Sequence, residues 1–441
     1  MHFCLSLCAL VTAATTGTAG ATAPLSAKWR SFAVEVGSFT NGSRNRRRRL
    51  DGAAPGGAMS GLMEGNPEPL GYFFARLRVG TPGQDFTVII DTGSSLLAIP
   101  CEGCNNCGRH EDPKFQPSRS STYHAVTCNS PHCGTCVANQ CTYREHFVEG
   151  SSIAGHLAMD QLGLEPPGGQ DFVRVEAFFG CQTSETGIFK SQRADGIMGV
   201  GKQAQYPTLL DTMVSDHHLP DTLTFCISRT AGWVSFGAQP PTNAPAVTTM
   251  KPNGKYYILT LLNGKLGNTD LDVSSAVFNS GQGVLLDSGT SLIYLPHSAY
   301  MRFRTAFAKE TQKLSLGRPT VVEGADCWPV EKVKGGRAAA VSGVGLEEFP
   351  TLHLVFAGAA TMDLHPVHYM FLHPSEDEPT HWCSGVLDNG PTGTVLGAVF
   401  FRHQEVVIDR KTGRVHFTPN ECGDSYHSLH AGGELFEGVF G

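Results

Sequence analysis

Short apolar runs separated by turn residues set the pattern of this chain. Phe86-Thr87-Val88-Ile89-Ile90 is one such run and Val284-Leu285-Leu286 another. Runs of this length, rich in β-branched and aromatic residues and bounded by Gly, Pro, Asn or Asp, predict strands rather than helices. Folded pattern begins near Pro69. Gly71-Tyr72-Phe73-Phe74 and Leu77-Arg78-Val79, the turn Gly80-Thr81-Pro82-Gly83 and the run ending at Asp91 predict a hairpin. Further strands are expected at 173–179, 233–236 and 256–261. A closing hairpin is expected from Val406-Val407-Ile408-Asp409 through the turn Lys411-Thr412-Gly413 into Arg414-Val415-His416-Phe417. Helical spacing is rare. Residues 297–312 are the clearest case, with Met301, Phe303 and Phe307 as apolar positions.

Two polar turns interrupt this apolar pattern in nearly the same way. Asp91-Thr92-Gly93-Ser94-Ser95 and Asp287-Ser288-Gly289-Thr290-Ser291 each follow an apolar run, and each leads into more apolar residues and a proline, Pro100 and Pro296. Asp-Gly and Ser-Gly pairs are ordinary turn chemistry, and one such match arises by chance in roughly a few per cent of chains this long. Two matches with the same flanks are far rarer. A carboxylate in apolar surroundings is costly unless it is used, so two of them, one per half-chain, suggest a shared acid–base site between two lobes. A second echo supports duplication. Asp195-Gly196-Ile197-Met198-Gly199 lies downstream of the first turn, and Thr394-Val395-Leu396-Gly397 lies at a matching distance from the second. Glycine at the end of each strand would let another backbone approach closely.

Composition narrows the class. The 441 residues include 51 Gly and 26 Pro, which favours a turn-rich β protein large enough for two lobes. The one dense basic run is Arg46-Arg47-Arg48-Arg49. Without the segment before Leu50 the chain keeps 26 basic and 39 acidic residues, so the body should repel nucleic acid. The apolar stretch Phe3 to Ala14, followed by small residues, reads as a secretory signal over 1–23. Residues 24–50 read as a short pro-segment that carries the sequon Asn41-Gly42-Ser43 and ends in the Arg run; 51–68 read as linker. The run Gln239-Pro240-Pro241-Thr242-Asn243-Ala244-Pro245 divides an N-terminal lobe, 69–245, from a C-terminal lobe, 246–422, with a polar tail at 423–441. No later apolar run is long enough to span a membrane. Twelve cysteines remain beyond the signal, an even number that implies disulfides in a secreted chain. Eight of them, Cys101, Cys104, Cys107, Cys128, Cys133, Cys136, Cys141 and Cys181, crowd one stretch. Their connectivity is not readable from spacing. The C-x-x-C steps could instead hold zinc, but no clean two-pair zinc spacing is present. The histidines at 217–218 and 365–368 fit no recognisable nucleophile triad and are read as surface or structural.

On these motifs the chain, over about 69–422, resembles the pepsin-like aspartic proteases, most closely their nepenthesin and plasmepsin V-like branch. The resemblance implies an all-β, bilobal acid-protease fold, with two duplicated lobes, a cleft between them and a few short helices. It implies a monomeric endopeptidase acting on polypeptides, with no cofactor and no metal, in the secretory pathway, either secreted or in the lumen of the endoplasmic reticulum or an acidic vacuole. Asp91 and Asp287 take the catalytic positions. Thr92 and Ser288 would lock the two loops together, Gly93 and Gly289 would let the backbone turn tightly, and Ser94 and Thr290 would bond the carboxylates from outside. The flap would fall at 143–152, with Phe147, Glu149, Gly150 and Ser151 facing substrate. Phe147 stands where most relatives carry Tyr, and Ala98 where they carry the Trp that bonds it, so an apolar lid is expected. Glu149 could read a basic substrate residue. Cys327 with Cys383 and Cys226 with Cys422 look like family bridges, and the eight clustered cysteines would form four more. Two other functions compete: an inactive family member acting as a binding or inhibitor protein, and a zinc-binding Cys-rich adhesion module.

Overall fold

The computed structural model describes residues 58–66, 71–166, 173–202, 205–229, 231–252, 254–314, 316, 318–322, 324–329, 345–373 and 381–422. The expected signal, pro-segment, sequon and C-terminal tail lie outside these residues. The fold is mostly β, with few helices. No helix among the described residues is long and apolar enough to cross a membrane.

The duplication is visible in strand pairing. Gln84–Asp91 runs parallel to Gly196–Gly199, with Gly199 opposite Asp91, and Gly196–Gly199 is antiparallel to Leu97–Pro100. The second half repeats the arrangement: Val284–Leu286 is parallel to Thr394–Leu396, which is antiparallel to Ile293–Leu295. Each Asp turn therefore connects two strands that share one neighbour between them. The first hairpin pairs Phe74 with Ile89 and Val79 with Gln84. The inward positions Val88, Ile90, Leu285 and Leu286 are essentially inaccessible, so both turns rest on core.

A fifteen-stranded sheet joins the halves. Thr222–Ile227 pairs with Gln404–Asp409, and that strand pairs with Arg414–Pro419 to form the closing hairpin. Ala246–Thr249 completes the edge beyond it. The loop at 239–245 divides the halves in sequence, while the sheet runs on through both. Cys226–Cys422 ties the same region across 196 residues of chain.

Two expectations need correction, and one helix is new. Residues 51–68 read as linker, but Met59–Asn66 is a strand between Ala231–Phe236 and Tyr72–Val79. Its alternation is hidden because the inward sequence is Met59, Gly61, Met63: the glycine leaves room that Leu164 fills, with its Cβ 3.1 Å from where a Cβ on Gly61 would stand. The helix His297–Gln312 forms, but it buries Tyr300, Phe303 and Phe307, and Met301 is 44% exposed because it lies a quarter-turn off that face. The helix Leu209–His217 was not anticipated. Thr208 and Asp211 start it with a reciprocal capping box, a short sequence signal easily lost between β runs.

Gly61→Val should force Leu164 aside and cost about 1–3 kcal/mol, whereas Leu62→Val on the exposed face should change stability by less than about 0.5 kcal/mol. Urea denaturation of both variants checks this.

Candidate active site

Each candidate carboxylate is gripped by its own turn. Gly93 N–H donates to Asp91 Oδ1 at 2.8 Å and Ser94 Oγ donates to Asp91 Oδ2. In the second half, Gly289 N–H donates to Asp287 Oδ1 at 3.0 Å and Thr290 Oγ1 to Asp287 Oδ2 at 2.7 Å. Neither Gly93 nor Gly289 has a positive φ, so what each glycine contributes here is the N–H rather than a left-handed turn.

The two turns are bonded to each other symmetrically. Thr92 Oγ1 donates to Leu286 O at 2.9 Å, and Ser288 Oγ donates to Ile90 O at 2.7 Å. Ser288 N–H donates back to Thr92 Oγ1 at 2.9 Å, and Thr92 N–H to Ser288 Oγ at 3.2 Å. Both aspartates are fully buried. The carboxyl of Asp287 hydrogen-bonds that of Asp91, and burial, followed by the charge of Asp91, holds Asp287 well above the ordinary carboxylate range. Such a pair retains a proton that neither carboxyl would keep alone.

The glycines of the echo strands sit where no side chain fits. A Cβ on Gly199 would stand 2.4 Å from Leu96 N, and one on Gly397 2.2 Å from Leu292 O. Asp195 at the start of the first echo is also placed: its Oδ2 accepts from Thr87 N–H at 2.6 Å and Thr87 Oγ1 at 2.7 Å, which fixes the strand that carries Asp91.

The flap candidate is the hairpin of Gln140–His146 and Ser152–Leu164. Its tip places the predicted residues differently. Phe147 points inward and packs on Phe189 with ring centroids 4.7 Å apart, in the cluster that also contains Ala98 and Ile153. Val148, which the sequence reading did not single out, is the exposed apolar residue of the turn at 54%. The turn position between two polar-flanked strands was the available signal. Glu149 folds back over the turn, accepting from Ser151 Oγ. Its carboxyl is pushed up to about 8, first by burial, against hydrogen bonds from its own and the Ser151 backbone, and further by the charge of Asp91. Glu149 is thus within electrostatic reach of the pair. Gly150 is at φ 96°, which lets the turn close.

The cysteines sit beside this hairpin. Cys101–Cys181 links the strand after the first Asp turn to Val175–Glu185, Cys104–Cys107 closes a small loop, Cys133–Cys141 ties the hairpin's outer strand, and Cys128–Cys136 ties its neighbour Thr135–Val137. Cys327–Cys383 lies in the second half. Of the histidines, His368 is buried and held down to about 3, by burial and then by His403.

Comparison with known proteins follows the same division. Residues 73–238 match the family described as xylanase inhibitor N-terminal, and 256–419 the one described as xylanase inhibitor C-terminal. Aspartic protease 5 of Toxoplasma gondii is 31% identical over 381 residues, covering 80% of this chain and 36% of that protein. The chain thus spans about a third of that relative's length. Plasmepsin V of Plasmodium falciparum (isolate 3D7) is 22% identical over 81% of this chain and 72% of its own length. Aspartic proteinase nepenthesin-2 of Nepenthes gracilis is 26% identical over 80% of this chain and 79% of its own length.

Because Asp287 keeps its proton more tightly folded than unfolded, stability contributed by the neutral form is lost as pH rises from the ordinary carboxylate value toward the raised one. Asp287→Asn should flatten the fall in melting temperature over that range, read by thermal unfolding at a series of pH values.

Proposed function

The chain belongs to the pepsin-like aspartic protease family, and on that premise we propose that Asp91 and Asp287 are the catalytic pair of an endopeptidase acting on polypeptides. The observation that carries the reading is the pair itself: two buried carboxyls in mutual hydrogen bond, one from each half, each with its own donors. The ionised member takes a proton from a water molecule as that water attacks the peptide carbonyl. The protonated member donates to the developing oxyanion, and a proton passes to the leaving nitrogen as the carbon–nitrogen bond breaks. Neither step needs a covalent enzyme intermediate. The matched family is described by xylanase inhibitors, yet both carboxylates are present and paired, which favours the protease over the inhibitor reading. Six disulfides and the apolar N-terminal stretch favour work in an oxidising compartment of the secretory pathway.

Asp91→Asn should fold, by circular dichroism, yet lose about 10²- to 10⁴-fold in peptide cleavage. A statine-type transition-state mimic should block the wild type. Equal cleavage by the variant would remove Asp91 from the mechanism.

Glu149 supports a preference for a basic substrate residue through a charge-assisted hydrogen bond. Roughly tenfold or more discrimination between an Arg peptide and its norleucine analogue is expected. With its carboxyl near 8, Glu149 is neutral at lower pH, so the preference should grow as pH rises toward that value. Glu149→Gln should show a small, pH-independent ratio. The ratio of kcat/KM for the two peptides across pH measures it.

A further inference from the structure

The side-chain lock is not the sole link between the two Asp turns. Tyr257, fully buried, touches the supports of both. Its backbone carbonyl accepts from Leu286 N–H at 3.0 Å, and Leu286 immediately precedes Asp287. Its hydroxyl donates to Val200 O at 2.6 Å. Val200 N–H in turn donates to Asp91 O at 2.8 Å. One residue of the second half therefore holds the peptide before one aspartate directly and the peptide of the other through a single intermediary.

A charged cluster lies near the hydroxyl, where the charge of Arg410 acts on Tyr257. The guanidinium is anchored by Nη2 donating to Asp211 Oδ1 and by Nε at 3.1 Å from Asp221 Oδ1. Asp211 is fixed because it also caps the helix Leu209–His217, accepting from Thr208 N–H at 2.8 Å.

We infer that Tyr257 is a positioning residue that sets the separation of the Asp91 and Asp287 carboxyls. The physical reason is the steepness of the interaction being controlled. Two carboxyls sharing a proton are coupled by a Coulomb energy that falls with distance, and an error of about 1 Å in placing reacting groups costs up to about a hundredfold in rate. The lock through Thr92 and Ser288 ties the turns at their tips. Tyr257 ties the strands behind them, so the turns cannot pivot about the lock. The kinetic part of this inference rests on the protease reading; the structural part does not.

The test compares Tyr257→Phe with Tyr369→Phe. Tyr369 is equally buried, and its hydroxyl also donates to a backbone carbonyl, that of Pro350, but it is bonded to neither turn. Aspartate carboxyls are labelled with ¹³C and titrated by NMR in the full chain. In wild type the pair should titrate in two well-separated steps. Tyr257→Phe should bring the steps closer by about one pKa unit, because wider separation weakens the coupling. It should also lower kcat about tenfold with KM within about twofold. Tyr369→Phe should leave the step separation and kcat unchanged while losing similar thermal stability. Equal behaviour of the two variants in titration and kinetics would overturn the inference. A wild type that cleaves no peptide would defeat the protease reading, and the titration would still decide the role of Tyr257. Should Tyr257→Phe not fold, amide hydrogen exchange of the wild type decides: the Leu286 and Val200 amides, held by Tyr257 O and Asp91 O, should be among the slowest to exchange, and fast exchange at either would overturn the inference.

Discussion

Everything in this molecule turns on holding two carboxyls together that repel one another when ionised. At about 4 Å and an effective dielectric near 20, two like charges repel by about 4 kcal/mol. A shared proton removes most of that cost, which is why burial matters: it makes the doubly ionised state worse than the singly ionised one. What remains is opposed by the reciprocal bonds of Thr92 and Ser288 with each other and with Leu286 and Ile90. Net contributions of about 0.5–1.5 kcal/mol for each buried hydrogen bond put the lock in the same range as the repulsion. Hydroxyl residues suit the task because each donates to a carbonyl and accepts from an N–H at once. A valine in place of Thr92 would leave a buried carbonyl and a buried N–H short of partners.

A lock at the tips works if the strands behind it are rigid. Both aspartates stand at the ends of strands flanked by a parallel neighbour, and both neighbours end in a glycine through which the turn's own backbone passes. The large sheet extends this rigidity across the halves, since Thr222–Ile227 from the first half pairs with Gln404–Asp409 from the second. The site is therefore built chiefly from backbone and small side chains: two carboxylates, four hydroxyls and a set of peptide groups. Bulk lies outside it, in the aromatic cluster of Phe303, Phe307, Trp328 and Tyr369 beneath the second half.

The sequence made this centre legible because its chemistry is local. Asp, Thr or Ser, and Gly fall on consecutive residues, and the echo strands repeat at matching distances. The helix at 297–312 was legible for the same reason: Phe303 and Phe307 sit one turn apart. What was hidden depends on distant partners. Met59–Asn66 is a strand because two neighbouring strands and Leu164 make room for Gly61, which has no signature of its own. The four bridges of the cysteine cluster depend on strand registers, such as the hairpin that sets Cys136 opposite Cys141 while each bonds another partner. Tyr257 looks like any aromatic in a strand, and its place emerges when Val200 and Arg410 arrive beside it.

The hairpin at 140–164 shows how one local departure alters the energetics. Ala98 is buried without a large side chain, and the aromatic mass near it comes instead from Phe147 and Phe189. The hairpin is therefore held down by apolar contact rather than by a hydroxyl-to-indole bond. Withdrawing a buried phenylalanine into water costs about 1.5–3 kcal/mol. Glu149 adds a term of its own: while neutral it tolerates the buried turn, and once ionised it favours exposure or a cationic partner. A cationic group under the tip would supply that partner while the apolar contact stays made, so the charge that destabilises the turn when alone would stabilise it when paired.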